Sequence, residues 1–216
     1  MAVPAVNGTN STGAVAGEAQ TLTQSHTVGS SLTDSILVAM ITNIQGDNIT
    51  SATWNGDAMT RAGTFANVFF KDIFYIRNPD SGTHDFVGSW DIFSRGLAVS
   101  LITVTGVKGV AGVINSSGYS SSATLTVTTV NSDALVLATT ASATTTHTQT
   151  GSQVQQTNFT VDNGVGYVSR HSTLSLDCAT AGAQALSVTL GTTVDEAMMG
   201  ISLESIASFI PYSSIL

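Results

Sequence analysis

The stretch from Ile49 to Trp90 constrains the fold most, because strand-like runs alternate in it with residues that favour tight turns. Asn55-Gly56 is the strongest short hairpin signal in the chain, since both residues tolerate a positive φ. A second reversal is predicted at Asn78 to Gly82, where a proline fixes one φ angle and a glycine frees another. The stretch therefore predicts four or five consecutive antiparallel strands.

Three further runs carry the apolar residues expected of buried strands. Ser35 to Asn43 is almost continuously apolar, Arg95 to Val107 carries apolar residues on both faces, and Ala134 to Ala141 follows a turn. Two polar stretches interrupt this pattern. We expect a polar loop or a short edge strand at Val113 to Ser122, and a long exposed loop or an edge strand at Thr139 to Gln153.

The composition favours β structure. Only 9% of the residues are charged, whereas 42% are hydrophobic, which is more than a disordered chain contains. Threonine and valine lose rotamer freedom in a helix but fit a pleated sheet. The sequence therefore predicts an all-β fold, an antiparallel two-layer β-sandwich of jelly-roll type, and 216 residues suffice for one such domain.

We expect three parts: an extended arm at Met1 to Gln20, a single sandwich domain at residues 21–206, and an apolar tail at residues 207–216. The small, polar arm either orders against a neighbouring subunit or frays. The tail either packs on its own sandwich or docks into a neighbouring protomer, because Pro211 prevents simple strand continuation. The apolar residues expected to contact partners are Val3, Val6, Phe209, Ile210, Tyr212, Ile215 and Leu216.

Charge and hydropathy exclude two classes of partner. The net charge of −8 would repel phosphate backbones, so we expect no direct nucleic-acid contact. The longest apolar run, Ile36 to Ile41, is far shorter than the ~20 residues of a membrane-spanning helix. The first twenty residues lack the basic and apolar regions of a secretory signal, so we expect synthesis in the cytoplasm without export by that route.

The residue spacings indicate no catalytic chemistry. The four histidines stand alone, and no pair has the spacing of two metal ligands. Among them, His84 is expected to hydrogen-bond the turn that precedes it. The single cysteine, Cys178, has no basic neighbour in sequence and is expected to be a buried structural thiol. The sequence therefore predicts no enzyme, no catalytic residue, no metal site and no cofactor.

Both tryptophans, Trp54 and Trp90, fall in the strand-rich stretch described above. Bulky aromatic residues in a sandwich of this size are usually core residues. The alternative is that they form a sugar-stacking platform with Tyr75, Tyr119 and Tyr167, which would make the two tryptophans glycan contacts.

Three motifs resemble a family of β-sandwich proteins common in tailed-phage and prophage genomes. They are Thr53 to Thr60 (TWNGDAMT), Tyr75 to Pro79 (YIRNP) and Ser81 to His84 (SGTH), and they are similar to the "TWNG-x-AMT" hairpin and "Y-x-x-NP-x-x-GTH" turn of that family. The resemblance extends over Asp34 to Ile206 and includes a closing strand at Ala197 to Leu203. Such domains occur in capsid decoration proteins, fibres and surface modules, and the resemblance implies no catalytic residues.

From this resemblance and the lack of catalytic spacing, we expect a virion structural protein. The expected role is a capsid decoration, or cement, protein on the outer capsid surface of a phage. Its expected partners are the phage major capsid protein and further copies of the chain, with a homotrimer as the first expectation and assembly in the host cytoplasm. The alternative is a tail or fibre component, or a carbohydrate-binding adhesion module.

Overall fold

The computed structural model describes residues 3–8, 10–143, 145–164 and 166–205. These residues form strands, turns and irregular connections, and no helix occurs among them. Over the same residues there is accordingly no helix with the length and apolar character needed to cross a bilayer.

Fourteen strands form two sheets, and the pairings described within them are antiparallel. The strands of the first sheet are β1 (Ala5–Val6), β2 (Ser11–Val28), β3 (Ile36–Asn43), β4 (Ser51–Trp54), β5 (Asp57–Ala58), β6 (Thr60–Phe65), β7 (Phe70–Arg77) and β8 (Gly82–Thr105). The strands of the second sheet are β9 (Gly109–Thr129), β10 (Ala134–Ala143), β11 (His147–Gln149), β12 (Val154–Asp162), β13 (Val168–Cys178) and β14 (Gly182–Glu204).

Apart from the short strands β1 and β5, which have no counterpart in the second sheet, the two sheets have the same strand order. In the first, the long strand β8 pairs along one edge with β2 and along the other with β4 and then β3, after which β7 and β6 follow. In the second, β14 pairs along one edge with β9 and along the other with β11 and then β10, after which β13 and β12 follow. The chain is therefore a tandem structural repeat of a first half, residues 11–105, and a second half, residues 109–204.

The irregularities of the two halves also coincide. The β6–β7 register shifts between Arg61 and Gly63, and the β12–β13 register shifts between Gln155 and Thr157, at partner positions 100 residues apart along β7 and β13. The long strand β8 bulges over residues 89–94, and β14 bulges over residues 189–194. Since a bulge bends its strand and increases the local twist, both long strands change direction at the same point of the repeat.

Each half has its own core, and a third core lies between the sheets. The core of the first half includes Trp54, Phe74 and Phe86, and the core of the second half includes the smaller Leu125 and Leu174. Between the sheets, alternate residues of β3 and β10 meet; the apolar residues that these two strands contribute are Ile36, Val38, Met40, Leu135 and Leu137. Every residue of β3 is buried because its two faces contact two different cores, as its continuous apolar run predicts.

The halves pack reciprocally at their edges. Strand β12 of the second half lies against β2 and β8, and β6 of the first half lies against β9. Asn10 Nδ2 donates a hydrogen bond to Gln156 Oε1 (2.7 Å) across one of these contacts. At the other contact Gly63 lies so close to Val113 that a Cβ atom at position 63 would be 2.5 Å from its Cγ1. The edge strand of each half is therefore covered by the other half.

The structure confirms the all-β, antiparallel, sandwich-like fold, with two facing layers around the shared core. The hairpin predicted at Asn55-Gly56 joins β4 to β5, and both residues have the expected positive φ, 50° and 87°. The tandem repeat was not part of the prediction.

Several predicted boundaries differ from the structure. The expected boundary between residues 20 and 21 falls inside β2, because residues 11–20 of the expected arm pair with β8. The polar stretch 113–122 belongs to β9, where its backbone pairs with the edge of β14 opposite to β10 and β11. Residues 139–143 belong to β10 and face the cores, so they form neither a loop nor an edge strand. The expected tail, residues 207–216, lies outside the described residues.

Candidate functional site

The expected partner contacts are described in part. Val3 is 50% exposed, and Val6 packs partly buried against the core between the sheets. The remaining expected contacts, Phe209, Ile210, Tyr212, Ile215 and Leu216, lie outside the described residues.

Both tryptophans are core residues of the first half. Trp54 is 1% exposed and Trp90 is 4% exposed. The Trp54 ring is also enclosed by edge contacts with His26 (6.0 Å between centroids) and His84 (5.7 Å). Neither indole offers a face to solvent, so the sugar-stacking platform considered in the sequence is not formed by these two rings.

Two smaller predictions are confirmed. His84 Nε2 donates a hydrogen bond to the carbonyl oxygen of Ser81 (3.1 Å), which ties down the turn before β8. Cys178 is a free, buried cysteine, and burial raises the pKa of its thiol. Within the described ranges, no three His, Cys, Asp or Glu residues come together in a way that would hold a metal ion.

A polar cluster that sequence reasoning missed lies buried near the contact between the halves. Its first member, Lys71 on β7, is 0% exposed, and its Nζ donates a hydrogen bond to Thr42 Oγ1 (3.0 Å). Burial lowers the pKa of Lys71 to about 7, against the opposing attraction of the Glu196 carboxylate. Burial likewise raises the pKa of Glu196, and the Lys71 ammonium limits that rise.

His171 is the structural counterpart of Lys71 in the second half, because Thr42 pairs with Lys71 and the equivalent Ala141 pairs with His171. Its ring stacks on Phe159 (5.7 Å between centroids), and its Nε2 lies 2.6 Å from Ser169 Oγ. Burial, and then the Lys71 charge, hold the pKa of His171 well below its usual value. The cluster thus places a titratable residue of each half at one equivalent position.

His147 completes the polar cluster of Lys71, Glu196, His171 and His147. Its Nε2 lies 2.7 Å from Ser142 Oγ and its Nδ1 lies 2.8 Å from Ser172 Oγ. Burial lowers the pKa of His147 to about 4, with further contributions from the charges of Arg170 and Lys71. A nucleophilic serine needs a histidine oriented by a carboxylate, whereas both ring nitrogens here contact hydroxyl groups. The geometry is that of a neutral, hydrogen-bonded core histidine.

A groove opens between residues of the two halves. It has a volume of about 370 Å³, and we call it the interhalf groove. The residues that line it come from both halves: Ile44, Gln45, Val68, Asn163, Tyr167 and Asp195. Tyr167 also packs on a small buried apolar group that contains Phe69 and Ala197. Pockets of about 300 to 1,000 Å³ are the usual size of small-ligand sites, so this groove is a candidate binding site.

A second candidate surface is the bulge of β8. Ile92 is 49% exposed and Phe93 is 62% exposed, and we call this pair the β8 corner. Gln20 Nε2 holds the bulge by donating a hydrogen bond to the carbonyl oxygen of Asp91 (3.1 Å). The equivalent bulge of β14 carries Thr192 and Thr193. The bulge is therefore apolar in the first half, where it forms the β8 corner, and polar in the second half.

Comparisons of the chain with family models, with curated proteins and with solved structures give no match. The resemblance to phage sandwich proteins rests on the sequence motifs alone and stays a prediction. The interhalf groove and the β8 corner are therefore the two surfaces from which a function can be inferred.

Proposed function

We propose that this protein is a non-enzymatic structural component of a larger assembly, and specifically a decoration protein on the outer surface of a phage capsid. In this role it binds the major capsid protein and further copies of itself. The observation that carries the proposal is the exposed apolar β8 corner.

The internal repeat gives this observation its weight. Both halves bulge at the same point, and the β14 bulge forms with Thr192 and Thr193. Apolar side chains are therefore not needed to build the bulge. Ile92 and Phe93 nevertheless stand in water, where an apolar surface contributes nothing to folding. Contact with another molecule is the role that this surface fits.

The small binding energy that one β8 corner can supply favours an oligomer. Burying a large apolar side chain contributes about 1.5 to 3 kcal/mol, so one corner supplies only a few kcal/mol. A specific interface typically buries about 800 Å² on each partner. Several corners held in one oligomer multiply a weak contact by raising the effective concentration of the next one. A homotrimer that presents three corners to the capsid is consistent with this requirement.

The buried polar groups support a structural rather than catalytic role. Lys71, His171 and His147 are closed off from solvent, and in the part of the chain that is described their hydrogen bonds go to hydroxyl groups. Such networks fix how two layers pack, whereas a catalytic base must reach its substrate.

The test compares particle binding of the wild type with that of a double variant, I92T/F93T, which copies the second half. We expect an unchanged melting temperature, because the β14 bulge tolerates threonines, and a loss of occupancy on purified capsids in a co-sedimentation assay. V130T is the matched control, since Val130 is also a highly exposed apolar residue but lies at the β9–β10 turn.

If I92T/F93T occupied the capsids as fully as the wild type, the proposed contact would be contradicted. A chain truncated after Ser205 tests the expected tail contacts separately. Electron microscopy of labelled particles then decides between the head and a tail or fibre, and absence of the protein from every particle would overturn the proposal.

A further inference from the structure

We propose that the interhalf groove is a binding site for a neutral saccharide. This inference is independent of capsid attachment, because it concerns a different surface from the β8 corner. It also moves the glycan contact away from the buried tryptophans.

The lining has the chemistry that a sugar requires. Tyr167 offers part of an aromatic ring, which suits the C–H face of a pyranose. Gln45 and Asp195 are exposed, so an amide that both donates and accepts and a carboxylate that accepts are available to sugar hydroxyl groups. Ile44 and Val68 form an apolar part of the groove wall. This mixture of few polar groups and apolar wall is typical of small-ligand sites.

Hydrogen bonds of the backbone hold both walls of the groove. On one side the Arg95 N–H donates to the carbonyl oxygen of Gln45 (2.7 Å), and the Ile44 N–H donates to that of Arg95 (3.1 Å). On the other side the Asn163 N–H donates to the carbonyl oxygen of Tyr167 (2.9 Å), and the Tyr167 N–H donates to Asn163 Oδ1 (3.0 Å). Because the walls are already ordered, less conformational entropy of the protein is lost when a ligand binds.

The electrostatics select a neutral ligand. No lysine or arginine lines the groove among the residues described there, and Asp195 adds a negative charge to a chain whose net charge is −8. Tyr167 and Asp195 line the same groove, where burial and then the Asp195 charge raise the pKa of the Tyr167 phenol. An anionic sugar or a phosphate would be repelled, whereas a neutral polyol is not.

The test is a titration of isotope-labelled protein followed by NMR. The probes are the methyl glycosides of glucose, galactose, mannose and N-acetylglucosamine at millimolar concentration, with sialyllactose as an anionic probe. We expect at least one neutral glycoside to shift the side-chain amide signals of Gln45 and Asn163, and sialyllactose to leave them unchanged. Binding should weaken about tenfold in D195N, which turns one accepting carboxylate oxygen into an amide donor, and in Q45A, which removes a whole side-chain amide.

The variant Y167A should also lose binding, and Y75A is its matched control, because Tyr75 is half-buried like Tyr167 but lies outside the groove lining. If Y167A does not fold, the two exposed-residue variants D195N and Q45A decide the question. Unchanged groove signals with every neutral probe, wild-type affinity in both D195N and Q45A, or preferential binding of sialyllactose would each overturn the proposal. The variant I92T/F93T should bind sugar normally, so a failure of capsid attachment is distinguishable from a failure here.

Discussion

Replacing Lys71 by methionine is expected to stabilise the protein at neutral pH, although it removes a hydrogen bond. The side chain is 0% exposed, and its Nζ donates to Thr42 Oγ1. Burial lowers its pKa from 10.5 to about 7, so charging the amine opposes folding. Methionine keeps an unbranched side chain of similar length in the same space and carries no charge.

The size of the effect follows from the pKa difference. A lowering from 10.5 to about 7 corresponds to about 5 kcal/mol at most. Loss of the Thr42 hydrogen bond opposes the gain by about 1 kcal/mol, whereas the attraction to Glu196 is already contained in the pKa of about 7. A net gain of about 3 kcal/mol at pH 7 remains, which is about 6 to 12 °C in melting temperature for a chain of this size.

The pH dependence identifies the cause. Between pH 7 and 10.5 the unfolded chain binds a proton at Lys71 that the folded protein has released, so wild-type stability rises with pH in this window. Urea denaturation should show a wild-type gain of about 3 kcal/mol between pH 7 and about pH 9.5, and no such gain from this group in K71M. The control is K108M, because Lys108 is exposed and forms a surface ion pair with Asp34. A K71M variant that is less stable than the wild type by the same amount at both pH values would refute the reasoning, since it would show a charged, well-paired Lys71.

Two further outcomes test the packing between the halves and the His147 site. G63A should lower the free energy of unfolding by about 1 to 3 kcal/mol, because the new Cβ would lie 2.5 Å from Val113 Cγ1. Adding V113A should recover most of that loss. If urea denaturation shows that the losses of the two single variants simply add in the double variant, the contact is contradicted. Since the pKa of His147 is about 4 in the folded protein, the unfolded chain takes up a proton first as pH falls from 6.5 to 4, and stability should fall by about 3 kcal/mol. H147Q should lose the part of this acid sensitivity that His147 contributes, whereas the part from His171, whose pKa is also lowered by burial, remains. The same pH profile in both proteins would contradict the assignment.

The local elements of the fold were predictable where sequence and environment agree. The run at β3 is continuously apolar because both of its faces are buried, and Asn55-Gly56 forms a hairpin because both residues accept a positive φ. The long strand β8 was predicted in two parts, one ending at Trp90 and one beginning at Arg95, because the exposed residues of its bulge look like a turn in sequence. Register through a bulge depends on the partner strand, which no local pattern contains.

The repeat was hidden for a different reason. The halves share backbone geometry but few side chains, and the visible similarity is confined to segments such as Asp34 to Ala39 (DSILVA) and Asp133 to Ala138 (DALVLA). Lys71 did carry a signal, since a charge inside the aromatic run FFKDIF is unusual in a core strand. Its neighbours Glu196 and His171 are 100 or more residues distant in sequence, so only the packing of the halves brings them together.

The pairing pattern also determines when the chain can fold during synthesis. Among the described residues, every strand that pairs with β8 precedes it in sequence, and none of the strands of the first sheet comes from beyond residue 105. The first half can therefore close its sheet as soon as residue 105 has left the ribosome, while the second half is still being translated. Until β10 and β14 arrive, the face of β3 that carries Val38 and Met40 stays open to water, which makes this the interval in which a nascent chain most needs protection from aggregation.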